Sequence, residues 1–117
     1  GGFGDVQLRG DRVWAVAGVS GKLYRFNSSG QADQPIVLEG LSFAIAFEID
    51  SAGQIYILDR HAGNVSVFGQ DGEKRHDFLA KGKRHGRLWY PKEMHFDWDG
   101  KLCIVDEGNA RIDIFTR

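Results

Sequence analysis

The chain has a single cysteine among its 117 residues. Cys103 alone excludes an intrachain disulfide and any zinc site built on cysteines. Its place within Leu102-Cys103-Ile104-Val105 predicts a buried, inert thiol. No apolar run approaches the ~18 residues that a membrane helix needs. No signal-peptide pattern and no initiator Met is present, and the chain opens Gly-Gly-Phe-Gly. The expectation is a mature form or a portion of something longer. An excess of one charge is also missing: the net charge of -1 implies no overall attraction to nucleic acid or membranes. Helical periodicity is absent throughout. Val19-Ser20-Gly21 does not complete the Gly-x-Ser-x-Gly turn of a serine nucleophile. There is no phosphate loop, dinucleotide fingerprint or EF-hand loop, so no cofactor is expected.

What is present is a paragraph written almost three times. Residues 47–68 read FEIDSAGQIYILDRHAGNVSVF, and residues 93–115 read EMHFDWDGKLCIVDEGNARIDIF. Asp50, Gly53, Asp59 and Phe68 recur as Asp97, Gly100, Asp106 and Phe115. A worn copy, RVWAVAGVSGKLYRF, fills 12–26. Self-similarity at this period marks units that bury their faces only by stacking on one another. At 42% apolar and 26% charged residues, the composition is that of a soluble globular protein of about one domain.

The apolar runs 13–17, 43–47, 55–58 and 102–105 are short, rich in β-branched and aromatic residues, and bounded by Gly and Asp. They read as strands. Their lack of clean alternation fits strands covered on both faces. Gly following Asp, Asn or Ser supplies the turn chemistry of tight hairpins. Each unit is therefore expected to be a four-stranded antiparallel meander. The strands fall near 3–8, 12–17, 22–27 and 33–38; then 43–50, 54–59, 64–69 and 73–79; then 92–97, 101–106 and 110–116. The last unit lacks its fourth strand. Meanders repeated every ~40 residues suggest propeller blades, so the expected fold class is all-β.

The stretch Asp106-Glu107-Gly108-Asn109-Ala110-Arg111-Ile112-Asp113-Ile114-Phe115 resembles the core of an NHL repeat, and Pro91 and Asp97 fit upstream. The second unit departs from that pattern, with Ala62 for Asn and Asn64 for Arg. The first keeps only the apolar skeleton and Phe26. The resemblance implies one half-propeller domain over 1–117, with blades near 1–40, 41–88 and 89–117, about half of a six-bladed ring. It also favours an extracytoplasmic place.

The landmark Phe residues stand 42 and then 47 positions apart, which puts an enlarged loop at Ala80–Tyr90. Strand parity places Arg60-His61-Ala62-Gly63 on the same side as that loop. Seven of the 15 basic residues fall within 74–92, against one acid, Asp77. The candidate partner-binding residues are Arg60, His61, Lys81, Lys83, Arg84, His85, Arg87, Trp89 and Tyr90. Three readings stand: a solvated or inter-blade loop, a contact for a protein or acidic polymer, and a nucleic-acid surface, since cations with aromatics neutralise phosphates and stack bases. The NHL resemblance allows the last. Asp50, Asp71, Asp97 and Asp99 collect on the opposite side.

Glu48 and His95 are equivalent under the repeat and fall on innermost strands. They are weak axial candidates for a metal, of the kind some related propeller enzymes hold; channel-lining polar residues are the bland alternative. Asp59 and Asp106 end second strands, and their recurrence predicts a structural role as hydrogen-bond acceptors, Arg111 among the donors. Asn27-Ser28-Ser29 and Asn64-Val65-Ser66 match the glycosylation triplet, and only Asn27 falls in an expected turn.

The expectation for function is a non-enzymatic scaffold or interaction module. The alternatives are a lyase or lactonase with an axial metal and a nucleic-acid-binding surface. Three blades do not close a ring, so the expected partner is a second copy of the chain, or another chain that completes the propeller. Trp14, Val16, Ile104 and Ile114 are expected on the outward faces of the end blades.

Overall fold

The computed structural model describes residues 2–116. Gly1 and Arg117, the ends of the expected domain, lie outside the described residues. The first sheet runs β1 (Phe3–Arg9), β2 (Arg12–Ala17), β3 (Lys22–Phe26) and β4 (Ile36–Val37). The second runs β5 (Ala44–Ile49), β6 (Ile55–Asp59), β7 (Asn64–Phe68) and β8 (Lys74–Phe78). Two short strands follow, β9 (Ala80–Lys81) and β10 (Arg87–Leu88), which pair in parallel across the enlarged loop. The third sheet runs β11 (Glu93–Phe96), β12 (Leu102–Asp106) and β13 (Arg111–Phe115). The three larger sheets are antiparallel meanders in simple chain order, here called blades 1, 2 and 3. One three-residue 3₁₀ turn, Glu107–Asn109, interrupts the β pattern.

The turns repeat one device. Asp50 Oδ1 accepts from the N–H groups of Ala52 and Gln54. Asp97 Oδ1 accepts from Asp99 and Lys101, and Asn27 Oδ1 from Ser29 and Gln31. A side-chain oxygen that captures N–H groups two and four residues on folds the chain back locally. Gly30, Gly53 and Gly100 close these turns at positive φ, where a side chain would be strained.

Register makes the units superimposable. Val13 pairs with Phe26, Ile55 with Phe68, and Leu102 with Phe115. The innermost strands β1, β5 and β11 lie side by side, with β5 between the other two. Two apolar layers fill the gaps between blades. Val16 and Leu23 meet Phe47, Ile55, Ile57 and Phe68 in the first, with Trp14 partly buried beside them. Leu58, Val65 and Val67 meet Met94, Leu102 and Ile104 in the second. Blade 2 is covered on both faces, so β6 is buried at every position and reads as an unbroken apolar run.

Four residues differ from the sequence reading: Trp14, Val16, Ile104 and Cys103. Trp14, Val16 and Ile104 face inward into these layers; only Ile114 is on an outward face, 61% exposed. Both faces of β2 and β12 carry apolar residues, so these strands carry no signal for which side is open. The outward residues are Phe3, Val6, Leu8 and Val13 on blade 1, and Ile112 and Ile114 on blade 3. Cys103 is half-buried rather than buried, because it too lies on the open face of blade 3. Phe68 is fully buried; Phe26 is half-buried on the open face of blade 1, and Phe115, which packs toward blade 2, is half-buried on a strand with no fourth strand beside it.

Candidate functional site on the loop face

Two buried carboxylates organise the loops at one end of the blades. Asp59, 1% exposed, ends β6 and accepts from the N–H groups of Ser42, Phe43, His61 and Ala62. It ties the loop entering blade 2 to the loop between β6 and β7. Asp106 does the same for blade 3. Its Oδ1 accepts from Trp89 N at 2.8 Å, and its Oδ2 accepts from Asn109 Nδ2 at 2.8 Å and faces Arg111 Nε at 3.3 Å. The recurring Asp is thus a structural clamp whose charge is met by backbone donors and a guanidinium. Blade 1 has Ala17 at this position, paired with Phe3.

The Asp106 clamp fixes the enlarged loop. Arg111 carries its guanidinium across the loop and donates to the carbonyls of Lys83, Arg84 and Arg87, the last two at 2.8 Å. Asn109 Nδ2 also donates to Gly82 O. Gly108 N donates to Trp89 O at 2.8 Å, an approach so close that a Cβ on Gly108 would lie 2.2 Å from that oxygen. The basic loop is therefore held by its backbone, and its charged side chains stay outside.

On this platform Trp89 and Tyr90 meet edge to face with ring centroids 5.2 Å apart. The Lys81 ammonium lies 5.3 Å from the Trp89 ring centre and 5.1 Å from that of Tyr90. Lys83 stands 5.2 Å from the Trp89 ring. Arg60 lies over Tyr90, donates to the carbonyls of Tyr90 and Pro91, and pairs with Glu107 at 2.9 Å. His61 packs between Phe43 and Tyr90. A cation over an aromatic face at such an exposed site contributes about 0.5–1 kcal/mol.

Six of the nine sequence candidates, Arg60, His61, Lys81, Lys83, Trp89 and Tyr90, come together in one cluster. Arg84, His85 and Arg87 are exposed on the same loop; Arg84 and Arg87 offer their carbonyls to Arg111. Sequence reasoning missed Glu107 as the counter-ion of Arg60 and the reach of Arg111 into three loop carbonyls. The second was foreshadowed in the Asn-x-Arg spacing, which puts both side chains on the Asp106 side of the turn.

The axial candidates have other company. Glu48 Oε1 accepts from Gln7 Nε2 at 2.8 Å, and Oε2 accepts from Phe96 N at 3.3 Å. Gln7, Glu48 and His95 occupy one register position in the three blades; Gln7 was not recognised from the sequence. Both Glu48 oxygens are engaged, and among the described residues no three His, Cys, Asp or Glu side chains converge as a metal site. Glu48 is thus engaged between blades 1 and 3, while His95 stays exposed. A cleft of about 270 Å³ opens beside His95, lined also by Asp5, Lys92 and Glu93. On the opposite side, the Glu73 N–H and then Arg75 hold the Asp71 carboxyl below its ordinary pKa.

No family model matches the chain, and the search of curated proteins gives no match. Solved structures do match. A catalytically inactive virginiamycin B lyase of Staphylococcus aureus with quinupristin superposes with TM-score 0.70 at 18% identity, over 96% of this chain and 37% of that one. A streptogramin B lyase gives TM-score 0.60 at 13% identity, over 96% and 50%. An auxiliary nutrient-binding protein of Bacteroides thetaiotaomicron gives 0.64 at 14% identity, over 95% and 37%. The chain spans half or less of each of these proteins. At these identities the likeness shows the fold: all-β, built of propeller blades.

Proposed function

We propose that the chain is a non-enzymatic propeller module of NHL type, residues 1–117 acting as one half-propeller, that binds an acidic protein segment through its loop face. The observation that carries this reading is the set of ammonium groups on Trp89 and Tyr90, above a loop whose backbone is clamped by Arg111 and Asn109. Cations presented on a fixed platform meet carboxylates with little further ordering, which favours binding. Protein is favoured over nucleic acid because Lys81 and Lys83 already cover the rings, where unpaired bases would have to stack. The NHL reading is supported by the way Asp106, Asn109 and Arg111, three residues of the motif, form one hydrogen-bonded network. A lyase and a nutrient-binding protein share this fold, so fold does not choose between catalysis and binding and the side chains must.

The test is titration of a labelled oligoglutamate peptide against the chain and a Lys81→Glu/Lys83→Glu variant, followed by fluorescence anisotropy. Binding should weaken about tenfold or more in the variant, ~1.4 kcal/mol, and should fade as salt is raised. Equal affinity of the two proteins would overturn the reading. Tighter binding of a labelled oligouridylate, with the same loss in the variant, would move it to nucleic acid.

A further inference from the structure

We propose that the two open faces of the chain are halves of one interface, and that blade 1 of one copy docks on blade 3 of a second copy. This does not depend on what the loop face binds.

The chain already makes this interface twice. Leu58, Val65 and Val67 of blade 2 press on Met94, Phe96, Leu102 and Phe115 of blade 3. Register assigns Val105, Ile112 and Ile114 of blade 3 to the positions of Leu58, Val65 and Val67. It assigns Val6, Leu8, Val13 and Phe26 of blade 1 to those of Met94, Phe96, Leu102 and Phe115. Both sets are apolar, yet Ile112 is 67% exposed, Val6 54% and Leu8 77%. Apolar faces of this kind, left open at the ends of a stack whose inner faces are sealed, mark interaction surfaces.

The polar inner edge repeats as well. Gln7 Nε2 donates to Phe47 O, and Glu48 Oε2 accepts from Phe96 N. The third member of that series is His95, which is exposed. Across a repeated interface its ring meets the backbone of Val6 and Leu8 in the second copy, the counterparts of Phe47 and Phe96. Closure selects the number of copies. Propellers hold about four to eight blades; two arcs of three blades fall inside that range and three arcs fall outside. A head-to-tail contact that closes after two copies gives a finite assembly rather than a filament.

Cys103 supplies the test. Tyr56 and Phe96 touch across the inner interface with ring centroids 5.2 Å apart. Their register counterparts are Cys103 and Leu8. The Leu8→Cys variant should therefore give a covalent dimer with a short bismaleimide, and adding Cys103→Ser should abolish it. Light scattering of the unmodified chain should give twice the 13.1 kDa of one copy, falling to one copy for Leu8→Glu or Ile114→Glu. Both positions are exposed in the single chain, so these variants should keep its fold by circular dichroism. A one-copy mass with no thiol-dependent crosslink would overturn the proposal and leave the faces to blades outside Gly1–Arg117. An open ladder of crosslinked species would overturn the two-copy closure.

Discussion

Phe68 and Phe115 stand at one register position in adjacent blades, each opposite the first residue of its second strand. Phe68 is fully buried; Phe115 is half-buried, as is Phe26 in blade 1. The local sequence is equivalent, and each pairs with the first residue of its second strand. What differs is the cover: Phe68 has β8 beside its strand and blade 1 across its face, Phe115 has blade 2 across its face but no fourth strand beside it, and Phe26 lies on the open face of blade 1. A repeat of this kind stores its stability in contacts between units, so the same residue is worth a different amount at each position along the stack.

The sharpest way to break this comparison is to truncate the same residue in all three blades. Phe68→Ala should cost ~3–5 kcal/mol, as for a buried core aromatic. Phe26→Ala and Phe115→Ala should cost roughly half as much, in proportion to the side-chain area each hides. Urea unfolding of the three variants at low protein concentration measures the series. A Phe26→Ala loss equal to that of Phe68→Ala would mean that the open face of blade 1 is covered in solution. The comparison then becomes a gauge of assembly, because raising the protein concentration should bring the Phe26 loss up toward that of Phe68, and leave the Phe115 loss unchanged, if copies associate.

A second, smaller contrast lies in the clamps. Asp59 satisfies four backbone N–H groups, whereas Asp106 takes one backbone N–H and two side chains. Replacing either by Ala leaves buried donors without partners, at ~1–3 kcal/mol for each group stranded. Asp59→Ala should therefore lower stability more than Asp106→Ala. The latter should instead loosen the basic loop: proteolysis between Lys81 and Arg87 should speed up in Asp106→Ala and stay unchanged in Asp59→Ala. Equal cleavage in both would show that Arg111 holds the loop without Asp106.

These contrasts also explain what was legible beforehand. The turns and most strands were, to within a residue or two, because Asp50, Asp97 and Asn27 each fold their own turn through hydrogen bonds two and four residues long; β4 is shorter than expected, starting at Ile36 rather than near residue 33. Such chemistry is local and shows in the string. The clustering of Lys81, Trp89, Tyr90 and Arg60 was legible from meander parity alone. The open faces were not: Trp14 and Val13 are adjacent and both apolar, and only the stacking direction decides which is covered. The parallel pairing of Ala80–Lys81 with Arg87–Leu88 carried no pattern, since two-residue strands have no period. Gln7 escaped because blade 1 has lost the Asp and Asn landmarks that aligned Glu48 with His95.

The smallest expected effect is one of pH at Asp113, beside the blade 3 clamp. Asp113 holds in blade 3 the register position that Ser66 holds in blade 2. Burial, and then its hydrogen-bonding contact with Asp106, raises the Asp113 carboxyl above its ordinary pKa, against the pull of the Arg111 guanidinium 3.0 Å away. The folded chain thus holds this proton more tightly than the unfolded chain does. Where the folded state binds more protons, stability rises as pH falls. The gain at Asp113 accrues as pH drops through its raised value and is complete below the ordinary value of 3.8. Asp71, whose carboxyl is held low, acts in the opposite sense at lower pH. Asn resembles the protonated acid, so Asp113→Asn should be slightly more stable than the parent at neutral pH. The two should converge as the parent carboxyl takes up its proton. Melting temperatures of both proteins from pH 7 down to pH 4 test this. A difference that stays constant across the range would mean that the Asp113 charge is matched by Arg111.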